Sequence, residues 1–380
     1  MKQNKKPKVL LAMSGGVDSS VAALLLKRQG YEVIGAFMKN WSDTKNELTG
    51  ECSWKDDRKV AMSIASKIGI PLITLDFEKQ YKKDVISPMF DLYRKGITPN
   101  PDIDCNNKVK FPLLWQAAKK LGAEFIATGH YIRKSKDGKK LLRAKDEGKD
   151  QSYFLYRIGK KDIAYSLFPV GELMKKQVRE IARANKFPNF DRKSTVGICF
   201  VGKVNLKKFL QVKIPPKEGK ILGPKGNQIG KHDGIYYYTI GQRIGPRFGI
   251  EVERGNSSKL GQVRGKGQKL KRWYVASKNQ KKNEIVAAPE GHPLNYRKEI
   301  VMKNFHTINK NHISKIKRGD KIKVLSRIRH VGELLPSILK YSNNKYKVTL
   351  NKPITGVSEG QAIVLYKGEE VIGGGIISFI

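Results

Sequence analysis

Lys8-Val9-Leu10-Leu11-Ala12-Met13-Ser14-Gly15-Gly16-Val17-Asp18-Ser19-Ser20 reads as an apolar strand, a glycine turn and the start of a helix. A helix entered in this way offers unpaired backbone N–H groups to an anion. Gly15 and Gly16 lack the Cβ atoms that would keep the backbone from a phosphate, and Ser14, Ser19 and Ser20 add hydroxyl donors. Asp18 would repel a bare phosphate and suits Mg²⁺ or a backbone amide. The stretch is neither a Walker A loop, which ends in Gly-Lys-Ser/Thr, nor G-x-G-x-x-G. An ordinary capped strand–helix turn is the bland alternative.

Outward from this loop, helices and strands alternate. Residues 20–29, 56–68, 78–95 and 111–121 carry helical patterns, and 32–38, 71–75 and 125–128 are strand-like. That alternation predicts parallel βαβ units and a doubly wound α/β sheet. Met38 and Gly129 then fall at carboxyl ends of strands, where nucleotides bind in such sheets. Residues 171–186 read as one more helix. From about residue 215 glycines recur, and 235–240 and 272–277 are strand-like in a small β-rich central segment. Regularly spaced strands at 321–328, 335–341, 345–350, 361–366 and 371–379 predict a C-terminal antiparallel β-barrel. The expected domains are 1–210, 211–285 and 286–380.

Composition narrows the function. The 380 residues include 39% hydrophobic side chains, enough for a core. No apolar run of membrane-spanning or signal-peptide character occurs, so a cytoplasmic protein without membrane attachment is expected. Lys and Arg number 75 against 34 Asp and Glu, a net charge of +41. A lysine-rich solvated surface and a polyanionic partner both account for it, and charge alone does not separate RNA from DNA. The three cysteines, Cys52, Cys105 and Cys199, form no C-x-x-C pair and no cluster with the six histidines. A disulfide framework and a zinc site are therefore not expected, and no protein metal cage is. Cys105 lies in T-P-N-P-D-I-D-C-N, where two prolines suggest a stiff loop presenting Asn100, Asp102 and Cys105 together. A small buried hydrophobe is the commoner role of an isolated cysteine.

Taken together, the phosphate loop, T-P-N-P-D-x-x-C-N with Lys110-Phe111 after it, A-T-G-H-Y (127–131), K-D-Q-S-Y-F-L (149–155), G-I-C-F-V-G (197–202) and Y-T-I-G-Q-R (238–243) resemble the tRNA-specific 2-thiouridylases. The motifs run in that family's order over residues 8–245. The resemblance implies a Rossmann-like ATP pyrophosphatase domain of the PP-loop type. Ala12, Met13, Ser14, Gly15, Gly16, Val17, Asp18 and Ser19, with Met38 and Gly129, would bind ATP, with Mg²⁺ accompanying it. Cys199 would carry persulfide sulfur from a sulfur-relay protein, Cys105 would be the partner thiol, and Asp102 the acid/base. Asn100, Pro101 and Asp102 would surround the target base, the wobble uridine of glutamate, glutamine and lysine tRNAs. Lys149, Asp150 and Gln151, and less securely Arg329 and His330, would touch tRNA. The partner is thus tRNA rather than DNA.

Two departures stand out. Asp104 precedes Cys105 where the family has an apolar residue, which would raise the thiol pKa. Ser194-Thr195-Val196-Gly197 replaces Asp-Ser-Thr-Gly before Cys199. Cys52 reads as a structural thiol. The rivals are another adenylating enzyme on the same loop, such as a 4-thiouridine synthetase or an amidotransferase-type synthetase, and a non-catalytic RNA-binding protein.

Overall fold

The computed structural model describes residues 6–42, 53–192, 205–245, 272–308, 319–330, 332–343 and 345–379. In the first part β1 (Lys8–Ala12), β2 (Glu32–Lys39), β3 (Leu72–Asp76), β4 (Phe125–Ala127) and β7 (Ser166–Leu167) form one sheet, while β5 (Ile132–Lys134) and β6 (Leu141–Arg143) make a hairpin. The sheet order is β3-β2-β1-β4-β7, with every pair parallel. Val9, Leu10 and Leu11 are fully buried because both faces are covered. Val9 and Leu11 pack with α1 (Val17–Arg28) and α2 (Ser53–Ile68), and Leu10 faces the opposite way into a core with Phe111 and Leu114. Chain order reverses at β1, whose neighbours are β2 and β4. The crevice at the carboxyl ends of β1 and β4 is where such sheets bind ligands.

The long helix expected at 78–95 is α3 (Glu78–Tyr81), a π turn (Lys82–Ile86) and α4 (Ser87–Arg94) in succession. Residues 98–107, expected as a loop, instead enter a second helix of the same build: α5 (Pro101–Asp104), a π turn (Cys105–Lys110) and α6 (Phe111–Lys120). Pro101 sits in the first turn, where its missing N–H has no partner to lose, and Asn100 caps it by accepting the Ile103 N–H at 3.4 Å. Each π turn ends two residues before a proline, Pro88 or Pro112. A proline ring collides with the carbonyl four residues back, and the wider turn makes room for it.

Past the short α7 (Lys160–Ala164), the helix expected at 171–186 begins only at α8 (Lys175–Ala184). Gly171 is held in a turn, where a Cβ would lie 1.8 Å from the Ile132 carbonyl oxygen. After α9 (Leu206–Gln211), the central sheet holds β8 (Gly219–Leu222), β9 (Gln228–His232), β10 (Arg243–Ile244), β11 (Trp273–Asn279) and β12 (Glu284–Pro289), in the order β10-β11-β12-β8-β9. Residues 235–240, expected as a strand, begin with a 3₁₀ turn at Ile235–Tyr237. The tyrosine hydroxyls fix it: Tyr236 donates to the Pro215 carbonyl at 2.6 Å and Tyr238 to the Asp233 carboxylate at 2.8 Å.

The C-terminal part is a closed antiparallel barrel of β13 (Tyr296–Thr307), β14 (Lys321–Arg327), β15 (Leu335–Ser342), β16 (Lys345–Thr355), β17 (Ala362–Lys367) and β18 (Glu370–Ser378), closed by β13 against β18. The β5–β6 hairpin joins the barrel sheet through Glu370 and Leu142, so the first domain and the barrel share a sheet.

Candidate active site

Beyond β1, the Met13 N–H still donates to the Ala36 carbonyl at 2.9 Å, and the chain then turns sharply. Gly15 has φ +74°, and a Cβ there would stand 2.3 Å from the Asp57 carbonyl oxygen. Both facts demand glycine. Gly16 enters α1 in an extended conformation, and no side chain caps the first turn. Ser19 and Ser20 hydroxyls donate to the Gly16 carbonyl at 3.0 Å each, and the Ser14 N–H donates to Ser19 Oγ at 3.2 Å. Gly129, just past β4, packs so closely on α1 that a Cβ would fall 2.7 Å from the Ser19 nitrogen. The ends of β1 and β4 are therefore locked together across the crevice. Met38, buried at the end of β2, joins the core that holds Ile103 and Phe111. Asp18 Oδ1 accepts from the Tyr131 hydroxyl at 2.9 Å and the Lys175 ammonium at 2.5 Å.

The cysteine helix approaches the same crevice. Cys105 is buried at the start of its π turn, one turn past Asp102 and Asn100. Asp104 is met by Lys108 at 3.2 Å and Arg157 at 3.5 Å, so the charge beside the thiol is compensated. Lys110, only 7% exposed, places Nζ 3.4 Å from His130 Nε2. An ammonium only donates, so Nε2 is the acceptor, and Nδ1 carries the hydrogen donated to Thr128 Oγ1 at 2.8 Å. Burial, and then the Lys110 charge, hold the His130 pKa well below 6.5. Cys199 and Cys52, with residues 194–197, lie outside the described residues.

All three domains meet at the N-terminus of the cysteine helix. Gln361 of the barrel donates through Nε2 to the Thr98 and Pro99 carbonyls at 3.0 and 2.7 Å, and its Oε1 accepts from Asn100 Nδ2 at 3.3 Å. From the central domain, Thr239 Oγ1 lies 3.3 Å from Thr98 Oγ1. Among the described residues no cluster of metal ligands occurs, and no helix is long and apolar enough to cross a membrane.

The family model described as the tRNA methyl transferase HUP domain matches residues 7–203. Models described as the tRNA methyl transferase PRC-barrel domain and the aminomethyltransferase β-barrel domain match 207–289 and 297–377. The tRNA-specific 2-thiouridylase MnmA of Pediococcus pentosaceus is 40% identical, over 99% of this chain and 96% of its own length. The proteins of the same name from Bacillus subtilis and Flavobacterium johnsoniae are 38% and 36% identical, over 99% and 98% of this chain and 96% and 100% of theirs. The chain belongs to the tRNA-specific 2-thiouridylase family. Among solved structures, NMN synthetase from Francisella tularensis is 17% identical and covers 49% of this chain and 66% of that one, with a TM-score of 0.33, too remote to carry an argument.

Within this 2-thiouridylase the residues expected to touch RNA fall in unequal positions. Lys149 and Arg329 are exposed. Gln151 is half-buried, its Oε1 accepting the Tyr131 N–H at 2.9 Å. His330 leans on Phe154, with ring centroids 4.5 Å apart, and burial followed by the Arg327 charge lowers its pKa. Asp150 is buried and engaged in full. It accepts from the Ala144 and Ser152 N–H groups, from Ser152 Oγ and, at 2.6 Å, from Arg327.

Sequence reasoning missed several groups. Asn189 Nδ2 donates to the Gly15 carbonyl at 2.9 Å and Ser20 Oγ at 3.1 Å, and Arg192 reaches the same carbonyl at 3.4 Å. The only signal was P-N-F-D-R at 188–192, polar residues between the end of α8 and the Cys199 segment. Gln361 gave no signal, because only the fold brings residue 361 to residue 98.

Proposed function

We propose that this chain replaces O2 of the wobble uridine of tRNA with sulfur at the expense of ATP. One observation supports this above all. Gly129 packs on the first turn of the phosphate loop's helix, while His130 beside it meets Lys110 of the cysteine helix. The phosphate loop and the helix that carries Cys105 thus come together at the carboxyl ends of β1 and β4. The absent Cβ atoms at Gly15 and Gly129 let the loop pack directly against the Asp57 carbonyl and the first turn of α1, which holds its shape.

In this reading ATP is a substrate held by Ala12, Met13, Ser14, Gly15, Gly16, Val17, Asp18 and Ser19, with Met38 and Gly129. Mg²⁺ accompanies its phosphates and offsets their charge. Asn100, Pro101 and Asp102 surround the base, splayed out of the anticodon loop at a cost of a few kcal/mol. Uracil O2 attacks the α-phosphorus, pyrophosphate leaves, and Asp102 takes the N3 proton. The Cys105 thiolate attacks the Cys199 sulfur that bears the persulfide, forming a Cys105–Cys199 disulfide and releasing HS⁻. HS⁻ adds at C2, and AMP leaves with the electron pair of the C–O bond. A thiol reductant resets both cysteines, and a sulfur-relay protein reloads Cys199. Glutamate, glutamine and lysine tRNAs are the acceptors, and Lys149, Gln151, Arg329 and His330 face them.

The test is incubation with ATP, Mg²⁺, a persulfide donor and unmodified glutamate tRNA, followed by a gel that retards thiolated RNA. Retardation is expected with the parent and is lost in both Cys105→Ser and Cys199→Ser. Cleavage of ATP to AMP only with some other acceptor would discard the reading.

A further inference from the structure

Lys110 stands between the two halves of the site. On its own helix it lies five residues beyond Cys105 within a π turn, where the backbone bonds run from residue i+5 to residue i, as Phe111 N–H to Asn106 O demonstrates. An ideal α-helix would turn residue 110 about 140° away from residue 105. The π turn brings it instead to the next turn along the same side. Across the crevice its Nζ is 3.4 Å from His130 Nε2. His130 in turn follows Gly129, which rests on the Ser19 nitrogen of the phosphate loop.

The imidazole is placed to support a cation. With Nε2 accepting from the ammonium, Nδ1–H donates to the Thr128 hydroxyl at 2.8 Å, and Phe111 stacks on the ring with centroids 6.1 Å apart and planes at 16°. Lysine is a compact point charge with three donors, suited to phosphate oxygens.

We propose that Lys110 is a further catalytic residue of this reaction, whose ammonium binds the phosphoryl group of the adenylated uridine and takes up the charge that appears on AMP as it departs. The inference rests on the 2-thiouridylation reading. Charge bookkeeping assigns the step. When pyrophosphate leaves, the α-phosphoryl group keeps its single negative charge as it moves from ATP to O2, and the new charge appears on pyrophosphate. When HS⁻ displaces AMP, the C–S bond forms, the C–O bond breaks, and the phosphoryl group goes from one negative charge to two. A cation on the cysteine side of the crevice therefore acts mainly in the second step, where charge develops near it.

The experiment compares the parent with Lys110→Met and Lys110→Arg in single-turnover mixtures of ATP, Mg²⁺, persulfide donor and unmodified glutamate tRNA. Pyrophosphate release and thiolated tRNA are followed in parallel, and thermal melts verify folding. Expected is a loss of about 10²–10³-fold in thiolation for Lys110→Met, the scale of removing one group that stabilises developing charge. Pyrophosphate release should stay within about threefold of the parent, adenylated tRNA should accumulate, and Lys110→Arg should recover part of the loss. Thiolation by Lys110→Met within threefold of the parent would overturn the inference, and so would equal losses in both half-reactions. A parent that makes no thiolated tRNA would overturn the underlying reading along with it.

Discussion

The Asp150 carboxylate and the Arg327 guanidinium meet at 2.6 Å, both buried, and join the first domain to the barrel. Tyr366 of the barrel adds its hydroxyl 3.2 Å from Ser152 Oγ, beside the same carboxylate. Removing one partner of such a pair leaves an uncompensated buried charge, which costs about 3–5 kcal/mol, whereas replacing both by apolar groups is far milder. Asp150→Ala is therefore expected to lower stability by that amount, and addition of Arg327→Met to restore part of it. Denaturant midpoints measure both. A direct RNA contact at Asp150 predicts the opposite pattern: an unchanged midpoint and weaker tRNA binding.

Gly129 sets the distance between two strand ends. In Gly129→Ala the new methyl would lie 2.7 Å from the Ser19 nitrogen, and that neighbour is backbone rather than a yielding side chain. The first turn of α1 must shift, and with it the N–H groups that face the crevice. ATP affinity is expected to fall at least about tenfold, since loss of even one well-placed charge-assisted hydrogen bond costs about 1.5–3 kcal/mol. Equilibrium binding of ATP measures this, with Gly148→Ala as the contrast, because a Cβ there meets only Asp146 Oδ1 at an ordinary contact distance of 3.5 Å. An unchanged affinity in Gly129→Ala would separate this glycine from the nucleotide.

Acid sensitivity follows from the histidines. Burial lowers the pKa of His130, His232, His306 and His330, most of all His130. Below the ordinary value of about 6.5 the unfolded chain takes up protons that the folded chain refuses, so stability falls as pH drops. The depressed carboxylates Asp76, Glu78 and Asp233 lose their contribution only at lower pH, below the ordinary carboxylate range. Melting temperature is thus expected to decline between about pH 7 and pH 5, and His130→Asn to flatten that decline. An identical slope in parent and variant would show that His130 is protonated in the folded chain.

The phosphate loop was legible in the sequence because its function is local: a strand, two glycines and a helix start dictate the geometry within seven residues. The alternation around it announced the parallel sheet for the same reason. Cys105 was legible as a residue but not in its setting. Prolines at 99 and 101 suggested a loop, yet Pro101 at a helix start is favourable, and Pro112 is accommodated by a wider turn that no periodicity encodes. The aromatic run at 235–238 looked like a strand until distant carbonyls and Asp233 claimed its hydroxyls. β13 escaped notice because exposed, half-buried and buried residues follow one another along it without a clean alternation, and bulges interrupt its pairing with both neighbours. Contacts such as Gln361 with Thr98, 263 residues apart, exist only in the folded chain.

Salt dependence isolates the polyanion reading from the mere abundance of lysine. A solvated lysine surface binds tRNA at no fixed number of phosphates. A built interface releases a definite number of counterions, and six phosphate contacts on single-stranded regions give a log–log slope of about −4. Lys149 and Arg329 are exposed, and Lys149 lies close enough to His330 for its charge to press on that imidazole, so the two basic positions flank one face. Lys149→Ala and Arg329→Ala are each expected to make the slope shallower by about 0.7, one contact apiece. Lys282→Ala, at an exposed turn of the central sheet, is expected to leave it unchanged. Filter binding of unmodified glutamate tRNA from low to moderate salt measures the three slopes. A flat response in the parent would contradict an RNA interface, and equal changes in all three variants would reduce the charge to a diffuse field.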